Sequence, residues 1–172
     1  MVNLTQFELA ALVDATAGNE LHRAFVWLGY YHGLRRGELL ALKGTDIQNG
    51  HIRIVRLKQR KTPIINVQPL HKAECALVVK LAEQAGHDRI FKFGARHASG
   101  LINRYLKKAG VYTFARQKSL HSLRHSTGTN LYRNGHDIVA VAQYLGQKNI
   151  ESARRYTHLS EAEVHTMAAK AL

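Results

Sequence analysis

Near the end of the chain, three short segments carry side chains that can act on a phosphodiester. His121-Ser-Leu-Arg124 sets an imidazole and a guanidinium three residues apart, on one face of a helix. Tyr144-Leu-Gly-Gln147 follows, and Arg154-Arg-Tyr-Thr-His158 brings a phenol. A guanidinium can grip two phosphate oxygens at once, and a phenolic oxygen is a competent nucleophile towards phosphorus. Arg124 precedes Gln147 by 23 residues and Tyr156 by 32, so these groups sit on separate elements that the fold must bring together. Upstream, His32-Gly-Leu-Arg35-Arg-Gly-Glu38 adds a fourth segment. Gly33 is expected to end one helix so that Arg35 projects from the start of the next, with Glu38 one turn on to orient its guanidinium.

The order and intervals of these segments resemble the catalytic domain of the tyrosine recombinases, the phage-integrase family, in which an HxxR helix, a Leu-Gly-His turn and a tyrosine in a YTH setting follow one another. The likeness runs from about Leu4 to His158. It implies Arg35, not Arg36, as the first catalytic arginine. The family also places a catalytic lysine on a β-hairpin, about eight residues before a proline; counting back from Pro69 selects Lys61, with Lys58 as its rival. By that resemblance Arg35 and Arg124 would clamp the scissile phosphate, Lys61 would protonate the leaving 5′-oxygen, and His121 would assist proton movement. Tyr156 would attack, leaving a 3′-phosphotyrosine, with no metal and no cofactor required. Gln147 departs from the pattern, standing where the family has His or sometimes Trp. Its amide can still give a neutral hydrogen bond to a phosphate oxygen but carries neither proton nor charge. Two other readings therefore stay open: nicking and resealing of the type IB topoisomerase kind, and a DNA-binding protein that has lost catalysis.

The resemblance further implies double-stranded DNA as partner, a monomer or weak dimer in free solution and a tetramer on paired sites, and a cytoplasmic, nucleoid-associated location. It also implies one catalytic domain over residues 1–172, without the N-terminal core-binding domain of most integrases, so that the chain is expected to be either like the small fimbrial phase-variation recombinases or a fragment. A zinc reading of His121 and His125, at i and i+4, lacks a third ligand in the sequence. The resemblance implies a packing or hydrogen-bonding role for His125 instead.

Composition agrees with a polyanionic partner. In 172 residues there are 25 Lys and Arg against 12 Asp and Glu, a formal charge of +13. No apolar run approaches the ~20 residues of a spanning helix. The single Cys75 allows no internal disulfide and sits in a helical pattern as a packed thiol.

The elements that must position the site read as α+β, mainly helical with a small antiparallel sheet; the resemblance implies the tyrosine recombinase (DNA breaking-rejoining enzyme) catalytic fold. Leu4 to Thr16 has a Thr5 cap signal with Glu8 three residues on. After the Gly18-Asn19 break comes an apolar helix with Trp27, Tyr30 and Tyr31 as packing residues. Gly50 to Leu70 changes to strand character, with Ile52 and Ile54 before a turn at Lys58 to Pro63 and Ile64, Ile65 and Val67 after it. Between His51 and Ala73 lie six Lys or Arg and no acid, so Arg56, Lys58 and Arg60 are expected to touch DNA phosphates, together with Arg96 and Lys118 further on. His71 to Gly86 reads as a helix with Leu77, Val78, Leu81 and Ala82 inward. A basic helix ending at Gly110, the HxxR helix ending at Gly135, a helix over Ile138 to Leu145, and a third over Asn149 to Leu159 complete it; the tail is also helical.

DNA binding should fall steeply with salt and show little sequence preference. For ~6 phosphates covered, log K against log salt should slope by about −5. A flat response in a fluorescence-anisotropy titration would remove nucleic acid as the main partner.

Overall fold

In the computed structural model, residues 3–56, 64–112, 118–147, 151 and 153–157 are described. Helix α1 (Gln6–Ala15) starts at the expected capping box: Glu8 N donates to Thr5 Oγ1 at 3.2 Å and Thr5 N to Glu8 Oε2 at 2.9 Å. Helix α2 (Glu20–Tyr31) is capped by Asn19, whose Oδ1 accepts from His22 N at 2.9 Å. Ala24, Phe25, Val26 and Leu28 are fully buried, which makes α2 the central rod of the core. A turn through Gly33 leads into the short α3 (Arg36–Ala41), then a 3₁₀ turn at Gly44–Asp46.

The sheet is antiparallel, in the order β1 (Ile47–Gln48), β2 (His51–Arg56), β3 (Ile64–Pro69), with Arg53 opposite Val67 and Arg56 opposite Ile64. Strand period sends Ile52, Ile54 and Arg56 to the core face of β2. On β3 the inward place goes to Gln68, while Ile65 and Val67 stay exposed.

Helix α4 (Cys75–Ala85) begins later than its apolar pattern suggests, because His71 to Glu74 form a turn in which Glu74 Oε1 accepts from His71 N at 3.0 Å. Val78 and Ala82 are buried as expected, whereas Leu77 and Leu81 are half-buried against the core edge. Helix α5 (Ala95–Lys108) turns Ala98, Leu101, Ile102 and Leu106 inward and its charged face to solvent. Helices α6 (Leu120–Arg133) and α7 (Ile138–Tyr144) follow at the expected places. Of the helix expected over Asn149 to Leu159, the described residues show 3₁₀ geometry at Glu151 and over Arg154–Tyr156, and the tail lies outside them.

Buried apolar residues form two clusters. The larger one spans α1 to α6, with Phe25 and Phe91 edge to face at 5.0 Å. The smaller one gathers Val141, Ala142, Leu145, Ala153 and Tyr156. No helix among the described residues is long and apolar enough to cross a membrane.

Lys118 corrects an expectation. It is only 4% exposed, and its ammonium pairs with Glu8 of α1, whose carboxylate also closes the capping box. The lysine ties the approach to α6 onto α1 and is not available to a phosphate. Lys118→Met should therefore cost about 1.5–3 kcal/mol of stability, the range for a hydrogen bond to a charged group. Denaturant unfolding measures this; DNA affinity and its salt slope should not change.

Candidate active site

Arg35 is the N-cap residue of α3, and Glu38, one turn on, accepts from both ends of it: from Arg35 N through Oε2 at 2.7 Å and from Nη1 through Oε1 at 2.7 Å. The Arg35 side chain keeps 24% of its surface exposed, while Glu38 is buried. Glu38 Oε2 also meets Arg56 Nη1 at 3.1 Å.

Arg56 is the second correction. Expected at a DNA-facing surface, it is 0% exposed. Its parity with Ile52 and Ile54 on β2 was the signal in the sequence: a side chain two places beyond Ile54 must share the buried face. Beyond Glu38, Arg56 Nη2 donates to the carbonyl of Tyr144 at 2.7 Å and to Asn66 Oδ1 at 3.3 Å. Burial pushes its ionisation below the ordinary arginine range, and Glu38 offsets part of that.

Arg124, on α6, reaches between two chain turns. Nη1 donates to Gly33 O and Nη2 to Leu145 O, each at 2.6 Å. Burial, and then the positive charge of nearby Arg35, pushes it down to about 10, with Glu38 and Tyr156 acting in the other direction. A guanidinium has five N–H donors, so Arg124 keeps capacity for a ligand after these two bonds. His121 lies one turn earlier on the same helical face and is exposed.

The Leu-Gly-Gln turn after α7 depends on the absence of a side chain at Gly146. Its φ is 59°, and a Cβ there would lie 2.5 Å from Arg56 Nε. The turn delivers Gln147, whose Nε2 donates to the Tyr156 phenolic oxygen at 2.7 Å. Tyr156 is only 3% exposed. Its ring lies against α6 at Gly128, where a Cβ would approach it to 2.8 Å, and His125 meets it edge-on at 5.2 Å. His125 thus has the packing role expected of it, and Thr129 Oγ1 lies 3.3 Å from its Nδ1. The other phenol nearby, Tyr144, donates to Tyr31 O at 2.9 Å and is pushed up to about 12 by burial and by Glu74. It is poorly suited to act as a nucleophile.

Arg35, Arg124, Gln147 and Tyr156 therefore meet in one place. Arg96 is exposed on the first turn of α5, a helix joined to α3 by Arg36 Nη1 and Ser99 Oγ at 2.9 Å. Lys58, Arg60 and Lys61 lie outside the described residues, though β2 ends at Arg56, beside Glu38. Sequence reasoning missed the buried polar chain behind Arg56. Gln68 Nε2 donates to the same Tyr144 carbonyl at 2.7 Å, Gln68 Oε1 lies 2.8 Å from His32 Nδ1, and His32 Nε2 lies 2.7 Å from Glu74 Oε1. Only the parity of Gln68 on β3 could have pointed to it. Among the described residues, no group of three or more His, Cys, Asp or Glu is arranged to hold a metal ion.

Comparison with known proteins gives matches over most of the chain. The family described as the phage integrase family matches residues 2–163. Tyrosine recombinase XerC of Natranaerobius thermophilus is 32% identical over 155 residues, covering 83% of this chain and 52% of the relative. The type 1 fimbriae regulatory protein FimE of Escherichia coli K12 is 31% identical over 169 residues, covering 90% of this chain and 84% of the relative. This chain thus spans about half the length of the first and most of the second. Among solved structures, XerA recombinase superposes with a TM-score of 0.82 at 24% identity, over 99% of this chain and 65% of that one.

Arg56→Met should destabilise the protein by about 3–5 kcal/mol, because it leaves the buried Glu38 carboxylate short of a partner. Arg35→Met, at a part-exposed position, should cost about 1 kcal/mol or less. Denaturant midpoints at one pH compare the two.

Proposed function

The chain belongs to the phage integrase family, and on that footing we propose that it is a site-specific recombinase, cutting and rejoining double-stranded DNA through a 3′-phosphotyrosine. The observation that carries this reading is the seating of the Tyr156 phenol beside Arg124 and Gln147, with Arg35 next to Arg124. Two guanidiniums held this close repel, and a phosphodiester between them would supply the missing negative charge.

In this reading Arg35 and Arg124 hold the non-bridging oxygens of the scissile phosphate, and their hold strengthens as charge grows in the transition state. The Tyr156 oxygen bonds to phosphorus as the bond to the 5′-oxygen breaks. His121 takes up the phenolic proton, and Lys61 gives one to the departing 5′-oxygen. The new ester conserves the energy of the broken one, so attack by a 5′-hydroxyl reverses the step without ATP. The +13 charge suits a long duplex contact, with Arg96 as one phosphate ligand. Exchange of strands, rather than resealing of the same strand, would require two paired duplexes, which suits a tetramer assembled on DNA.

A nicked suicide duplex scored for a covalent protein–DNA adduct tests the proposal. Tyr156→Phe should abolish the adduct while leaving DNA affinity nearly unchanged. Arg35→Ala should lower the single-turnover rate by ~10²–10³-fold, with a much smaller loss in affinity. Equal losses in rate and affinity would make Arg35 a plain backbone contact, and no adduct from the parent protein would favour a DNA-binding role alone.

A further inference from the structure

We propose that His32 is a positioning residue for Arg124: through Gln68 it forms a buried strut between the two carbonyls, Gly33 O and Leu145 O, on which the Arg124 guanidinium rests. This rests on the reading of Arg124 as a ligand of the scissile phosphate and goes beyond it, because His32 acts only through other groups of the protein.

Three observations converge. First, the strut spans the same gap that Arg124 spans. Arg124 donates to Gly33 O and to Leu145 O, each at 2.6 Å. His32 directly precedes Gly33, and its Nδ1 lies 2.8 Å from Gln68 Oε1. Gln68 Nε2 in turn donates at 2.7 Å to the carbonyl of Tyr144, which directly precedes Leu145. Each end of the strut is thus one residue away from a carbonyl that Arg124 uses. Second, the strut is buried and anchored. His32, Gln68 and Glu74 are 1%, 2% and 0% exposed. Glu74 Oε1 lies 2.7 Å from His32 Nε2 and accepts from His71 N at 3.0 Å, so the imidazole is held on both sides and cannot turn without giving up a buried bond. Third, the two ends meet without slack: a Cβ on Gly33 would lie 2.4 Å from Leu145 Cδ2.

The direction of each bond is decided by partners that can act in one way only. The Tyr144 carbonyl can only accept, so Gln68 turns its NH₂ group to it and its oxygen to His32. The Arg56 guanidinium can only donate, so Asn66 presents Oδ1 to it at 3.3 Å, and the same oxygen accepts the second N–H of Gln68 at 2.6 Å. His32 Nδ1 therefore carries hydrogen. Polar side chains that satisfy one another in a low dielectric rigidify what they join. Tyr144 Oη, donating to Tyr31 O, is a second tether between the same segments, but it acts through a long side chain, whereas the strut grips the backbone of the turn. The separation of Gly33 O and Leu145 O sets where the guanidinium sits and where its remaining N–H groups point. A displacement of about 1 Å at such a group costs on the order of 10²-fold in rate.

The test is a pair of exchanges at His32 that separate its two arms. His32→Asn keeps an N–H donor near the place of Nδ1, towards Gln68, and gives up Glu74. His32→Gln keeps a polar group near the place of Nε2, towards Glu74, and gives up Gln68. Each loses one buried bond, so the denaturant midpoints should fall by similar amounts, and a purely structural role would lower both cleavage rates alike. In single-turnover cleavage of the suicide duplex, His32→Gln should lose ~10–10²-fold with DNA affinity nearly unchanged, while His32→Asn should keep most of the parent rate. Gln68→Leu, which breaks the strut at its other joint, should behave as His32→Gln does. In the DNA-free, ¹⁵N-labelled protein, the Arg124 Nε–H resonance, assigned by its loss in Arg124→Lys, should shift in His32→Gln and stay near the parent position in His32→Asn. Equal behaviour of the two His32 variants in rate and resonance, or the reverse order, would overturn the proposal. Should the parent form no adduct, the reading of Arg124 as phosphate ligand fails, while the resonance still decides the strut.

Discussion

Arg56 and Arg124 donate to the carbonyl oxygens of Tyr144 and Leu145, acceptors at the end of α7 that have no partner further along the helix. Cations suit a helix C-terminus on electrostatic grounds as well, since the peptide dipoles leave it negative. Here the two charges come from opposite sides, one from the sheet and one from α6. Arg124 reaches Gly33 O with its other nitrogen, and Arg56 reaches Glu38. The same pair of side chains therefore fixes the turn before α3, the end of β2, the middle of α6 and the end of α7 relative to one another. Arg35, Arg124 and Gln147 stand on or directly beside those pieces, and Tyr156 is brought to them by its own 3₁₀ turn.

The charge balance around this arrangement is uneven. Glu38 is the buried carboxylate shared by Arg35 and Arg56, and Arg124 is satisfied by carbonyls alone among its direct partners in the described residues. Neutral carbonyls solvate a guanidinium without cancelling its charge, so the centre keeps an excess of positive potential in the absence of a ligand. The depressed ionisation of Arg124 reports the same imbalance from within, burial first and the charge of Arg35 second. Proteins tolerate such unfavourable electrostatics where a bound anion relieves them.

Much of this was legible in the sequence, for reasons that differ by element. Capping at Thr5 and Glu8, the helix breaks at Gly33, Gly86 and Gly135, and the Arg35–Glu38 pair are local events, set within a few residues, and each is found where the pattern puts it. The family resemblance marked Arg124, Gln147 and Tyr156 as residues to examine, but not what they touch. Long-range polar pairing left no comparable trace. Lys118 and Arg56 read as DNA ligands because a basic residue in a basic stretch looks solvated, and only Glu8 and Glu38, 110 and 18 residues away, make them interior. In the case of Arg56 the strand's two-residue period held the answer, and the charge of its neighbours hid it. At Arg154–Tyr156 a 3₁₀ turn stands where an α-helix was expected, and the Tyr156 ring lies against Gly128 of α6, a long-range contact that helical propensity does not report.

The second, smaller apolar cluster has a dynamic consequence. Val141, Ala142, Leu145, Ala153 and Tyr156 form a cluster of their own, packed against Leu131 and Tyr132 of α6, and α7 is tied to the rest as well by polar bonds from Arg56, Gln68 and Arg124 and from Tyr144 to Tyr31 O. A cluster of this size can open on its own, well below the free energy of global unfolding, as a separate cooperative unit. The main core would remain intact while α7 and the tyrosine turn sampled an undocked state. Amide protons of α7 would then exchange ahead of those of α2, whose side chains lie at the centre of the larger cluster. The part of the molecule that carries the phenol is thus the part whose lifetime in the folded arrangement is set by one small cluster and the few polar bonds beside it.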